Sequence, residues 1–162
     1  MIDIHVLYGG MSTEHEISLR SAQSVINSLD KSKYNVSMTY ITRDGKFVPS
    51  GKYKEDIQRP EDLERECFLS KQQSIMQFID SLEDLNDPII IPCVHGITGE
   101  DGQLQGFLNT LGFRFIGNDL ESSAVCFDKA TTNNIFKAYQ IPQARYYILD
   151  RYKWDTNDKE AV

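Results

Sequence analysis

Two short apolar runs, each closed by glycine, frame this chain. Ile2 to Tyr8 is largely apolar and enters Gly9-Gly10 directly, which predicts a buried strand ended by a glycine turn. Pro88 to His95 repeats the arrangement, an apolar run followed by the glycine-punctuated stretch Gly96 to Gly102. Pro92 lies inside that second run and predicts an edge position or an irregularity, because proline has no ladder donor. After the first run a helix is expected: Thr13 and Glu16 have capping-box spacing, and Ile17, Ser21, Val25, Ile26 and Leu29 fall near one helical face. After the second run, Leu104, Phe107, Leu108 and Leu111 repeat at helical spacing, so a helix from about Gln103 should stop at Gly112 in a left-handed cap.

The remaining pattern completes an alternation of strand and helix. Asn35 to Thr42 reads as a strand, and Asp44-Gly45 as a tight turn into Lys46-Phe47-Val48. Pro49 to Asn86 is polar and mixed, with helical segments around Arg59 to Leu69 and Ser74 to Leu85. Phe113 to Ile116 reads as a short strand, Leu120 to Tyr139 as one helix, and Ala144 to Leu149 as the first strand of something new. Such alternation predicts an α/β fold, an open and mostly parallel Rossmann-like sheet with flanking helices. The expected division is residues 1–118 as a first domain, and 119–162 as a linking helix and the start of a second domain inside which the chain stops.

Composition narrows the function classes. The 162 residues are 40% hydrophobic and 25% charged, as in soluble globular chains, and enough to bury a core. The formal net charge of −7, with no local basic cluster, argues against a nucleic-acid partner. Cys67, Cys93 and Cys126 are odd in number and far apart, without zinc spacing, which fits a reducing compartment. No secretory signal is visible, and Ile89 to Val94 falls far short of the about 20 residues that span a bilayer. A cytoplasmic protein with no membrane partner is expected.

Chemistry should gather where the two glycine-marked loops meet. In open α/β sheets ligands bind beyond the carboxyl ends of the strands, which puts Gly9 to Ser18 and His95 to Gly106 on one rim. Each loop feeds a helix amino terminus, where negative charge is favoured. Glu14 is suited to hold an ammonium group or simply to complement the helix dipole. Glu16 is read as the capping-box partner. His95, ending a strand, is either functional or a satisfied structural histidine, and Glu100 and Asp101 are either turn-forming or functional. The loops lack GxGxxG, GxxxxGK, HExxH and GxSxG spacing, which counts against a stand-alone nucleotide domain, a zinc protease and a serine hydrolase.

The run Gly9-Gly10-Met11-Ser12-Thr13-Glu14-His15-Glu16-Ile17-Ser18 resembles the first signature of D-alanine–D-alanine ligases. His95-Gly96 through Gly106 resembles the second, and Ser123-Ala124 with Asp128-Lys129 resembles the entry into the ATP-grasp portion. The resemblance implies a pre-ATP-grasp domain followed by the truncated start of an ATP-grasp domain. It implies an enzyme that uses ATP and Mg2+ to phosphorylate the carboxylate of one D-alanine, after which the amine of a second attacks the acyl phosphate. The product is the D-Ala-D-Ala dipeptide of peptidoglycan.

On the matching positions, Glu14 would hold the ammonium of the first D-alanine and His95 would lie near its reacting end. Ile17 and Ser18 would shape the methyl pocket, Gly96 and Glu100 would belong to the substrate loop, and Lys129 would meet ATP phosphates. The family commonly carries another lysine where this chain has Asn133, which puts local ATP contacts in doubt. The family also pairs through this domain, so a homodimer is a further expectation. By itself the chain is expected to be inactive. A D-lactate or D-serine acceptor, or a non-catalytic D-alanine or nucleotide binding module, are the competing readings.

Overall fold

Strand β1 (Ile2–Gly9) is buried from Asp3 onward because both of its faces are covered. Ile4, Val6 and Tyr8 enter one core with Leu19, Ala22 and Ile26 of helix α1 (His15–Ser28). Leu7 enters the other core with Phe78 and Leu82 of α2 (Lys71–Glu83), and Leu104 and Leu108 of α3 (Gln103–Thr110). Successive side chains alternate between the faces of a strand, so one apolar run serves two layers. The computed structural model describes residues 1–148.

β1 is the central strand. It pairs in parallel with β2 (Tyr34–Ile41) on one side and with β4 (Ile89–Pro92) on the other. β5 (Arg114–Phe115) extends the sheet in parallel beyond β4, and β3 (Phe47–Tyr53) closes the opposite edge antiparallel to β2. The order is β3-β2-β1-β4-β5, so the sheet is mostly parallel, as expected. The β2–β3 hairpin turns at Asp44-Gly45, where Gly45 takes φ +78 and its N–H donates to Thr42 O at 2.9 Å.

Several local expectations are corrected. The Thr13–Glu16 capping box does not form: α1 starts after Glu14 without a side-chain cap. Ser12 Oγ instead accepts the Glu14 N–H at 3.2 Å, and Glu16 accepts from Arg43 Nη2 at 2.5 Å. The α1 face is rotated too, since His15, Ser18, Leu19, Ala22 and Ile26 are buried while Ile17 is exposed. A capping box does open α2, between Ser70 and Gln73. The segment around Arg59 to Leu69 forms only a short 3-10 turn, Pro60–Leu63.

Pro92 ends an interior strand, not an edge strand. β5 pairs with β4 only at Ile89 and Ile90, so its ladder ends before Pro92. The β1 side continues through Cys93 N–H to Leu7 O at 2.7 Å. α3 ends as expected, with Gly112 at φ +77 and Phe113 N–H donating to Leu108 O at 3.0 Å. The single helix expected over Leu120 to Tyr139 is two, α4 (Leu120–Phe127) and α5 (Lys129–Ala138). Asp128 divides them because its carboxylate accepts the Thr131 N–H at 2.6 Å and caps α5. Residues 144–148 form no strand, and Leu149 lies outside the described residues.

The chain divides into two compact units, Met1–Ala124 and a second starting at Val125. Both cores belong to the first. In the second, Thr132 Oγ1 donates to Val125 O at 2.7 Å and Tyr146 OH to Asn134 Oδ1 at 3.0 Å. Among the described residues no helix is long and apolar enough to cross a membrane.

Candidate active site

The strand order fixes where a ligand can enter. From β1 the chain passes through α1 to β2, and from β4 it passes through α3 to β5, on opposite faces. Beyond the carboxyl ends of the adjacent strands β1 and β4, a switch point of this kind is where a ligand crevice is expected. The two glycine-marked loops stand at that rim.

The first loop is built to turn sharply. Gly9 and Gly10 take φ +92 and +104, and a Cβ on Gly9 would lie 2.1 Å from Ile41 O, so only glycine fits there. Ser18 Oγ accepts the Gly9 N–H at 2.7 Å and donates to Cys93 O at 2.6 Å. One fully buried hydroxyl thus ties together the end of β1, the end of β4 and the first turn of α1. His15 is buried beneath the same turn. Its Nδ1 is 2.6 Å from Gly10 O, which can only accept, so on the neutral ring Nε2 accepts from Tyr40 OH at 3.1 Å.

The second loop is held by its own acid. Asp101 Oδ2 accepts the Thr98 N–H at 3.0 Å and Oδ1 the Gln103 N–H at 3.1 Å. Burial alone would raise this carboxyl, but these bonds and one from the Gln103 side chain hold it below the usual carboxylate value. Gly99 admits no side chain, since a Cβ would lie 2.3 Å from Val94 O. Gln105 Nε2 donates to Gly99 O at 2.8 Å.

The two loops meet through Ser12, Glu14, His95 and Gly96. Ser12 Oγ donates to His95 O at 2.7 Å. The Glu14 carboxylate reaches across to Gly96, where an added Cβ would stand 2.8 Å from Glu14 Oε2. Gly96 takes φ +70, so both its conformation and the space beside it suit glycine. His95 Nδ1 lies 3.2 Å from Glu100 Oε1, and Nε2 lies 3.0 Å from Ser21 Oγ of α1.

Of the expected residues, Glu14, Gly96, His95 and Glu100 come together here. Ile17 lies exposed on the first turn of α1, and Ser18 lies buried under it. Lys129 opens α5 in the second unit, with Nζ donating to Cys126 O at 2.7 Å. Ser12 and Ser21 belong to the cluster but were not picked out from the sequence. Ser21 lies seven residues after Glu14, two helical turns along the same face, and that spacing is the signal that could have found it. Cys93 has no thiolate role in view, because burial pushes its thiol up to about 11.

The D-ala D-ala ligase N-terminus family matches residues 3–118, which include both loops and all of the five-stranded sheet but Ile2. The chain belongs to this family. A D-alanine–D-alanine ligase of Finegoldia magna is 43% identical over 147 residues, 91% of this chain and 42% of the relative. The solved D-alanine–D-alanine ligase of Coxiella burnetii superposes with a TM-score of 0.69 at 30% identity, over 99% of this chain and 50% of that one. A D-Ala:D-Ser ligase from Enterococcus faecalis superposes at 0.67 with 26% identity, over 98% of this chain and 48% of that one. The chain thus spans about half the length of these ligase-family relatives, or less.

Proposed function

We propose that the crevice between β1 and β4 holds a D-alanine while ATP phosphorylates its carboxylate, as part of a cytoplasmic ligase that makes D-Ala-D-Ala for peptidoglycan. The observation that carries this reading is the setting of Glu14. Its carboxylate is exposed at the crevice, lies against the opposite loop, and pairs with no Lys or Arg among the described residues. A carboxylate so placed complements an ammonium group through charge-assisted hydrogen bonds.

The chain's own contribution is positioning. Glu14 holds the ammonium, which aims the amino acid's carboxylate along the crevice. His95 meets the reacting end, while Gly96 leaves the space that Glu14 uses and Glu100 holds the His95 ring. Ile17 forms a wall of the methyl pocket, and Ser18 fixes the turn that carries Ile17 and Glu14. ATP supplies the phosphoryl group, and Lys129 is assigned to its phosphates, where a cation offsets developing charge. Among the described residues no group of three His, Cys, Asp or Glu side chains could hold a metal ion, so no residue is assigned to magnesium and no step is routed through it. Pairing of two copies through this domain belongs to the same reading.

The test is D-alanine-dependent phosphate release by the protein encoded in the full reading frame that carries this chain. Losing a charged hydrogen-bond partner should raise KM for the first D-alanine about 10- to 100-fold in Glu14→Gln. Release that ignores D-alanine, or that is unchanged in Glu14→Gln, would sink the reading. The likeness to a D-Ala:D-Ser ligase keeps D-serine as the alternative acceptor, which competition between D-alanine and D-serine separates.

A further inference from the structure

We infer that Ser21 is a positioning residue for His95, fixing the plane of the imidazole from α1 while Glu100 fixes its tautomer from the opposite loop. The inference rests on the reading that His95 serves the substrate, but its geometry stands independently. His95 is held at both ring nitrogens, by partners 79 residues apart in sequence (100 − 21). A carboxylate only accepts, so Glu100 requires the proton on Nδ1. On the neutral ring Nε2 is then an acceptor, and Ser21 O–H is its donor at 3.0 Å. If the ring gains a second proton, the Ser21 hydroxyl rotates and accepts instead. Ser21 is therefore indifferent to the charge of the ring and specific to its orientation.

Its neighbour on the helix shows what a serine does without such a partner. Ser24 returns its hydroxyl to the helix, donating to Arg20 O at 3.0 Å, the usual local bond of a mid-helix serine. Ser21 instead sends its hydroxyl across to the second loop. Ser12 adds a third point, because its bond to His95 O holds the backbone of the same residue. Backbone and both ring nitrogens are thus engaged, which restrains the orientation of the imidazole. Such restraint by surrounding hydrogen bonds is what precise placement of a reacting group requires.

The experiment is nitrogen and proton NMR of the His95 ring in this chain, comparing the native protein with Ser21→Ala, Ser21→Thr and Glu100→Gln. The native ring should show its proton on Nδ1, with Nε2 unprotonated and hydrogen-bonded. Ser21→Ala should speed exchange of the Nδ1 proton with water about fivefold, the loss of one typical hydrogen bond, and Ser21→Thr should restore it. Glu100→Gln should move the ring toward the Nε2–H form. A native backbone amide spectrum in each variant separates a turned ring from an unfolded chain.

A native ring protonated on Nε2 would overturn the inference. So would unchanged Nδ1 exchange in Ser21→Ala, or a natively folded Ser21→Thr without restoration. None of these readouts needs enzyme turnover, so absence of D-alanine-dependent phosphate release would count against the proposed function and leave the ring assignment standing.

Discussion

A histidine in the middle of a parallel sheet must be neutral and bonded, and His5 is both. Its ring nitrogens lie 2.8 Å from Ser37 Oγ and 2.9 Å from Thr39 Oγ1, and Phe78 packs 5.9 Å from the ring centre. Desolvation lowers its pKa from 6.5 to about 4. The unfolded chain therefore binds a proton that the folded chain refuses between those values. The stability contributed by neutral His5 is complete above pH 6.5 and is lost as pH falls through the range toward 4. The size is on the order of 3 kcal/mol. Urea unfolding at pH 7.5 and pH 5 should show about 2 kcal/mol of this loss, since pH 5 lies part-way through the range, and His5→Asn should flatten it. An equal slope in the variant would assign the acid sensitivity elsewhere. Glu14 makes the contrast: it is a titratable side chain left exposed at the crevice, where a ligand can reach it.

At the scale of elements, the junction of β1, α1 and β4 depends on one hydroxyl. Ser18→Ala would leave the Gly9 N–H and the Cys93 carbonyl without their partner in a buried setting. The expected cost is about 2 to 4 kcal/mol, read as a lower urea midpoint with unchanged slope. A loss below about 0.5 kcal/mol would mean that the junction is held otherwise.

Most elements were legible where local pattern and tertiary environment agree. β1, β2, the Asp44-Gly45 turn and the α3 cap at Gly112 all follow from apolar runs and glycine. The pattern failed where a competing contact decided the outcome. Glu16 had capping-box spacing, yet Arg43, distant in sequence, claimed its carboxylate. Asp128 was read as part of a motif inside one long helix, yet its carboxylate starts a new helix. The two crevice loops could be read from their glycines and acids. The bonds of Ser12 and Ser21 to His95 could not be read locally, because that partner is 83 and 74 residues away, although the spacing of Ser21 from Glu14 places it on the right helix face.

At the scale of the molecule, the sheet and its two loops supply only part of what the proposed reaction would use. The chain covers 42% of the Finegoldia magna ligase and 50% of the Coxiella burnetii one. The described residues offer a carboxylate, a histidine and a lysine, with no cluster of three metal-binding groups. Purified as these 162 residues alone, with D-alanine, ATP and magnesium, the protein should yield no D-alanyl-D-alanine. Dipeptide above the uncatalysed background would show that this unit carries the chemistry unaided.

The central claim is that the crevice holds a D-alanine whose carboxylate becomes phosphorylated, and oxygen labelling tests it most directly. When the amine of the second D-alanine attacks the acyl phosphate, the phosphate departs with one carboxylate oxygen of the first. In the protein encoded by the full reading frame, D-alanine labelled with heavy oxygen in its carboxylate should deliver one labelled oxygen to inorganic phosphate. The rate of transfer should fall in Glu14→Gln. Phosphate released without label would contradict the account.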